Sequence, residues 1–299
     1  MEAVFLGLLY GLLDTFVRFI HANIPPFRSR WSVAKMPDLS VWHQEQNPGE
    51  SSDPKDQTTC PDAQLDFIHF DLTILSSAKT AAENFTSRES RLDILINNAG
   101  IIGDTRYELS PDGIELTACN ATGHFALTSH LLPILKKTAS SVSDPHVRIV
   151  NVASLAHLFA TNPDLSSLEG INRRDDRPMR RYDHSKLNNV LFTNELQKRL
   201  SDTSIYCLSV HPGLVASDIF NGIMSDFLTN WFTKFGSYII ASPHEGALTQ
   251  LYAATSPDIE IKGLRAAYLV PYGQVGRKSL LAQDRDGKLG QQFWNFVNV

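Results

Sequence analysis

Tyr182 and Lys186 stand four residues apart in the stretch YDHSK. On a helix that spacing places a phenol and an ammonium on one face, within about 6 Å of each other. A cation there favours the phenolate and draws the tyrosine pKa down from about 10, toward the range of a general acid or base. The pair alone carries little weight, because eight tyrosines and eleven lysines in this chain produce it about 0.3 times by chance. Its company gives it meaning. Ser154 follows the apolar run HVRIVNVA, Asn98 sits in NNAG after LDILI, and His211-Pro212-Gly213 follow SIYCLSV. Asn120 lies in a helical stretch between the first two. Three strand ends and one helix thus converge on one crevice.

The elements that must position this set begin at residue 65. Apolar runs with β-character occupy 65–71 (LDFIHFD), 92–98, 146–154, 204–212 and 266–272. Helical patterns occupy 73–88, 112–138 and 182–200, and 216–256 reads as mostly helical, a substrate lid. Residues 155–181 are irregular and charged. Near-continuous apolar strands alternating with helices predict an α/β fold, a doubly wound parallel sheet covered on both faces. Ligands in such sheets bind outside the carboxyl ends of the strands. Asn98, Ser154 and His211 fall at those ends.

The chain has 299 residues, 42% of them hydrophobic and 20% charged, with a formal net charge of -5. That composition supports a large core and argues against a nucleic-acid partner. Cys60, Cys119 and Cys207 are too widely spaced for a metal or redox CxxC site, and a reducing compartment fits them. No pattern of metal ligands is present. Residues 3–20, AVFLGLLYGLLDTFVRFI, would span about 27 Å as a helix, but Asp14 and Arg18 interrupt them. The reading is a helix that anchors at a membrane surface. A soluble docked helix and a cleaved signal peptide are the alternatives. Residues 1–24 thus form an apolar N-terminal helix, 25–64 a polar irregular segment, and 65–299 the α/β domain.

NNAG, CNATGHF, a serine after IVNVA, YDHSK and HPGLVAS occur in that order. Together they resemble the short-chain dehydrogenase/reductase family, nearest its retinol-dehydrogenase-like and WW-domain-oxidoreductase-like members, over roughly residues 65–275. The tail YLVPYGQVGRKS…LGQQFWNF resembles fungal members that act in secondary metabolism. The resemblance implies a Rossmann-like fold and conversion between a carbonyl and an alcohol on an apolar small molecule. It implies NADP as cofactor, with NAD also open. Tyr182 would exchange the proton, Lys186 would lower its pKa and hold the nicotinamide ribose, and Ser154 would bond the carbonyl. Asn120 would hold a backbone kink and a relay water. Asp71, with Leu72, and Asn98 would line the adenosine half, and Val215 and Ser217 the nicotinamide amide and phosphates. A cytoplasmic protein associated with the endoplasmic reticulum, and a homodimer, complete the expectation.

One family feature is missing. Between residues 12 and 99 the only glycine is Gly49. The glycine-rich turn that lets backbone approach a pyrophosphate at a helix N-terminus is therefore absent, and the N-terminal βαβ unit reads as truncated or replaced. A second reading follows: a non-catalytic dehydrogenase-like remnant or binding protein that has lost the dinucleotide. No GxSxG supports a serine hydrolase. His157 and His211 read as local hydrogen-bonding residues, and Phe293, Trp294 and Phe296 as core packing. The cluster Arg173, Arg174, Arg177, Arg180 and Arg181 reads as a solvated loop, with contact to an acidic substrate or a cofactor phosphate as the functional alternative.

Overall fold

Four short strands rich in Ile, Val and Leu lie parallel at the centre of the fold. The computed structural model describes residues 66–102, 106–141, 146–215 and 241–297; the apolar segment 3–20, the polar stretch 25–64 and residues 216–240 lie outside them. In chain order the elements are α1 (Leu75–Arg88), β1 (Ile94–Asn97), α2 (Cys119–Ser141), β2 (Arg148–Val152), α3 (Leu168–Ile171) and α4 (Pro178–Arg199). There follow β3 (Tyr206–Val210), α5 (Pro243–Thr255), α6 (Asp258–Ile261), β4 (Tyr268–Val270), β5 (Gln274–Val275), α7 (Leu280–Gln283) and α8 (Lys288–Val297). The sheet order is β1-β2-β3-β4-β5; the first four strands are parallel and β5 runs antiparallel to β4.

The strand period of two separates two cores. Ile149 and Cys207 face α1, α2, α4 and α8, while Val150, Val152, Leu208 and Val210 face α5. All five residues of β2 are buried, as a strand covered on both faces requires. A buried polar chain also stitches the layers together. Asn97 Nδ2 donates to Asn151 Oδ1 (2.7 Å) and Thr128 Oγ1 (2.9 Å), and Asn151 Nδ2 donates to Thr193 Oγ1 (2.9 Å). The parallel register sets Asn97 beside Asn151, so these bonds fix the strand order from side chains as well as backbone.

The structure departs from the sequence reading in three places. Residues 66–70 form no strand, and β1 is the edge of the sheet among the described residues. The helix expected from 112 starts at Cys119, since Ser110–Gly113 close a turn on Gly113, whose φ is +76°. Irregular residues 155–181 hold a 3₁₀ turn at Leu155–Leu158, short α3, and the first turn of α4, which Pro178 opens at a position needing no N–H.

Phe293 and Trp294 on α8 pack against Phe125 of α2, with ring centroids 6.1 and 4.8 Å away, and Arg199 covers the Trp294 ring at 4.3 Å. Phe293 is fully buried and Trp294 packs beside it, as core packing requires, while Phe296 is half-buried. No helix among the described residues is long and apolar enough to cross a membrane.

Candidate active site

Three elements end at one place. β2 delivers Ser154 at its carboxyl end, in extended backbone, and the Ser154 Oγ accepts from the Ala156 N–H at 3.2 Å to cap the 3₁₀ turn. α4 presents Tyr182 and Lys186 on one face, with Lys186 Nζ 5.4 Å from the Tyr182 ring centroid. The Lys186 ammonium donates to the Val152 carbonyl at 2.8 Å, and Asn189 Nδ2 donates to the same oxygen at 3.2 Å. α2 contributes Asn120. Its side chain clasps the backbone of Ile101, accepting from the N–H at 2.9 Å and donating to the carbonyl at 2.8 Å. Asn120 Nδ2 also donates to Ser185 Oγ on α4 at 3.3 Å.

The clasp holds the chain leaving β1 against both helices. A Cβ on Gly100 would lie 3.2 Å from Asn120 Oδ1 and 3.5 Å from Lys186 Nζ, so backbone lies close beside the ammonium. Asn120, Ser154, Tyr182 and Lys186 therefore meet, as their spacing along the sequence leads one to expect. Tyr182, Lys186 and Asn120 are buried, while Ser154 is half-buried.

The other site candidates sit around this group. Asp71 Oδ1 accepts from the N–H and the hydroxyl of Thr73 at 2.8 and 2.7 Å and so caps the turn before α1. Leu72 lies against the start of α2, where a Cβ on Gly123 would come within 2.5 Å of its carbonyl oxygen. Asn98 is exposed at the end of β1, with Gln250 of α5 as neighbour. Val215 follows β3, bridges Ala241 and packs on Gly246. Ser217 lies outside the described residues.

Electrostatics in the site differ from the sequence expectation. Burial pushes the Tyr182 hydroxyl up to about 12; a hydrogen bond with Ser154 works in the lowering direction and Asp183 adds to the rise. Burial lowers Lys186 to about 8. Desolvation penalises the charged form of each group and outweighs their mutual effect. The ammonium is engaged at the Val152 carbonyl, 5.4 Å from the ring centroid, and burial keeps Tyr182 a protonated acid.

His157 is the local hydrogen-bonding residue the sequence reading made it, and His124 is one that reading passed over. His157 donates through Nδ1 to the Ser154 carbonyl (2.7 Å), since its Nε2 accepts from the Ser279 N–H (3.2 Å). It is fully buried, edge-on to Tyr268 at 4.7 Å, and burial lowers it to about 4. His124, four residues beyond Asn120, shares a hydrogen bond with that residue's carbonyl at 2.9 Å. The i,i+4 spacing in CNATGHF is the signal that could have found it. His211 is buried with neither ring nitrogen hydrogen-bonded among the described residues, so there it is not the local hydrogen-bonding residue the sequence reading made it.

The sequence profile of the short chain dehydrogenase family matches residues 40–226. The chain belongs to the short-chain dehydrogenases. An uncharacterised oxidoreductase of Schizosaccharomyces pombe is 36% identical, over 79% of this chain and 69% of its own. Mouse retinol dehydrogenase 14 is 34% identical, over 80% of this chain and 67% of its own. Among solved structures, a Mycobacterium paratuberculosis protein of unassigned function superposes with a TM-score of 0.57 at 29% identity, covering 87% of this chain and 82% of that one. NADPH-bound carbonyl reductase from chicken fatty liver gives 0.53 at 22% identity, over 87% and 92%, a likeness of fold. This short-chain dehydrogenase is accordingly an oxidoreductase of alcohols and carbonyls with an α/β Rossmann-like fold, from a family that uses nicotinamide dinucleotides.

The residues fit one half of such a cofactor. Lys186 Nζ, bare backbone at Gly100 and the Asn120 clasp offer a polar cradle at the carboxyl edge of β1 and β2, where a ribose and nicotinamide would lie. For the pyrophosphate, the sequence supplies no glycine-rich turn.

Proposed function

We propose that residues 65–299 form a catalytic domain that interconverts a carbonyl and an alcohol on an apolar small molecule, with NADP(H) preferred and NAD also used. The meeting of Asn120, Ser154, Tyr182 and Lys186 at one strand edge carries this reading. When bound, the nicotinamide supplies or accepts the hydride. Ser154 orients the carbonyl oxygen. Tyr182, protonated at neutral pH, gives that oxygen its proton as the hydride arrives. Lys186 stabilises the phenolate left behind and holds the ribose. Asn120 fixes the chain leaving β1. Asp71 and Asn98 would line the adenosine half, and Val215 and Ser217 the amide and phosphates.

The fungal-type tail supports a place in secondary metabolism. The apolar run 3–20 supports attachment to a membrane surface, at the endoplasmic reticulum of the cytoplasm. Pairing of two copies belongs to the same reading.

One observation favours a second reading, a remnant that no longer binds dinucleotide: the missing glycine-rich turn. Calorimetric titration with NADPH separates the two. Saturable binding, with turnover that falls about 10²–10⁴-fold in Tyr182→Phe while NADPH affinity holds, is the expected result. No binding at millimolar NADPH would leave the remnant standing.

A further inference from the structure

The arginine run before Tyr182 divides in the structure. Arg181 is buried, with its Nε 3.0 Å from a carboxylate oxygen of buried Glu115 and a second bond to the Asp175 carbonyl at 2.5 Å. Arg177 pairs with the Asp175 carboxylate through two contacts of 2.8 Å. Arg174 pairs with Asp176 in solvent. Among the described residues neither Arg173 nor Arg180 forms an ion pair with a carboxylate, and Arg180 donates to Thr161 Oγ1 at 3.2 Å.

These two guanidiniums line a cavity of about 130 Å³ together with Glu115, Arg177, Arg181 and His184. Its other acids are already engaged: Asp175 by Arg177, and Asp164 by the N–H and hydroxyl of Ser166. With His184 neutral, four arginines and three acids leave the lining one positive charge in excess. The volume leaves room for one tetrahedral anion.

The helix geometry sharpens the imbalance. α4 has no side-chain cap at Arg177 and no acid in its first turn, and it carries Arg180 and Arg181 there instead. The N-terminal end of a helix is itself positive and favours anions, so cations in this turn oppose its dipole. Arg173 and Arg180 together act on His184, which burial and their charges drive toward its neutral form. At 100° per residue, Arg177, Arg181, His184 and Asn188 project from the side of α4 opposite Tyr182 and Lys186. The cavity therefore opens on the far side of α4, and adjoins the proton-transfer site only through Ser185, which lines it and accepts from Asn120 Nδ2.

We propose that this cavity binds a free oxyanion of phosphate size, held by Arg173 and Arg180 at the positive end of α4. The ion would neutralise the first turn of the helix that carries Tyr182. The inference does not rest on the catalytic reading, and its test needs no turnover. Inorganic phosphate is titrated calorimetrically into the full-length protein without dinucleotide, at ionic strength held constant with chloride. One saturable site is expected. Arg173→Ala and Arg180→Ala should each weaken it about tenfold, the loss of one charge-assisted hydrogen bond. Arg180→Lys should recover part of the loss, and Arg174→Ala should leave affinity unchanged. Both key arginines are exposed, so their removal spares the core. Absence of saturable binding would overturn the proposal. So would binding that survives both alanine variants, or that Arg174→Ala weakens equally.

Discussion

At the scale of single residues, the pair that first marks the site behaves differently from its spacing. Four residues on a helix place Lys186 near Tyr182, but distance alone does not decide a pKa. Burial drives both groups toward neutrality, the phenol up to about 12 and the ammonium down to about 8. The phenol then suits the direction of carbonyl reduction, where a proton is given. His157 shows how such a site is held. One imidazole joins the Ser154 carbonyl to the Ser279 amide, and each bond fixes the tautomer the other needs. His157→Leu would leave the half-buried Ser279 N–H without its acceptor, at a cost of about 1–3 kcal/mol, while the Ser154 carbonyl keeps only the backbone His157 N–H at 3.2 Å. We expect a lower melting temperature in that variant, and a kcat that falls while NADPH affinity is retained. His157→Gln, which can restore one bond, should recover part of the rate. An unchanged kcat in His157→Leu would show that Ser154 is held in place without it.

At the scale of elements, most of the frame was legible because strand and helix periods are strong in this chain. ILIN, RIVNV and YCLSV are apolar runs that only a twice-covered strand accommodates, and β1, β2 and β3 lie within the ranges read for them. What could not be read depends on partners rather than on local pattern. FIHFD has strand composition, but a strand exists only beside another, and no paired neighbour lies next to it among the described residues. β5 is two residues long and α6 and α7 four each, too short for any periodic signal. The Glu115–Arg181 pair joins residues 66 positions apart, so no window along the chain contains it. The approach of α2 to Leu72 is of the same kind. A Cβ at Gly123 would lie 2.5 Å from the Leu72 carbonyl and 2.6 Å from its Cδ2. Gly123→Ala gains about 1 kcal/mol of helix propensity, yet the clash is with backbone, which cannot step aside as a side chain can. Overpacking costs about 1–3 kcal/mol. The balance predicts net destabilisation, read as a lower denaturant midpoint at unchanged slope. A more stable Gly123→Ala protein would show that the 71–73 turn moves freely.

At the scale of the whole molecule, the buried imidazoles set how stability responds to acid. His124, His157 and His211 are all buried, and burial lowers them to about 3, 4 and 3. Each therefore stays neutral in the folded chain well below the 6.5 at which it protonates when unfolded. Between those values the unfolded state binds more protons, so stability rises with pH. The stabilisation is complete above about 6.5 and is lost as pH falls toward 3. Asp183 opposes this trend. Burial raises its carboxyl to about 7, so its contribution diminishes as pH climbs from about 4 to 7. Three histidines against one acid leave a net fall toward low pH. His211 is the informative one to remove, because neither ring nitrogen is hydrogen-bonded among the described residues and its neighbours in charge are His157 and Lys186. His211→Phe deletes a titrating group without breaking a bond. Each proton of difference is worth about 1.4 kcal/mol per pH unit. Urea unfolding free energies at pH 4.5, 5.5 and 6.5 should therefore fall less steeply toward acid in His211→Phe, by about that amount per unit. Parallel profiles for the variant and the parent would mean that His211 titrates in the folded protein as it does in the unfolded chain.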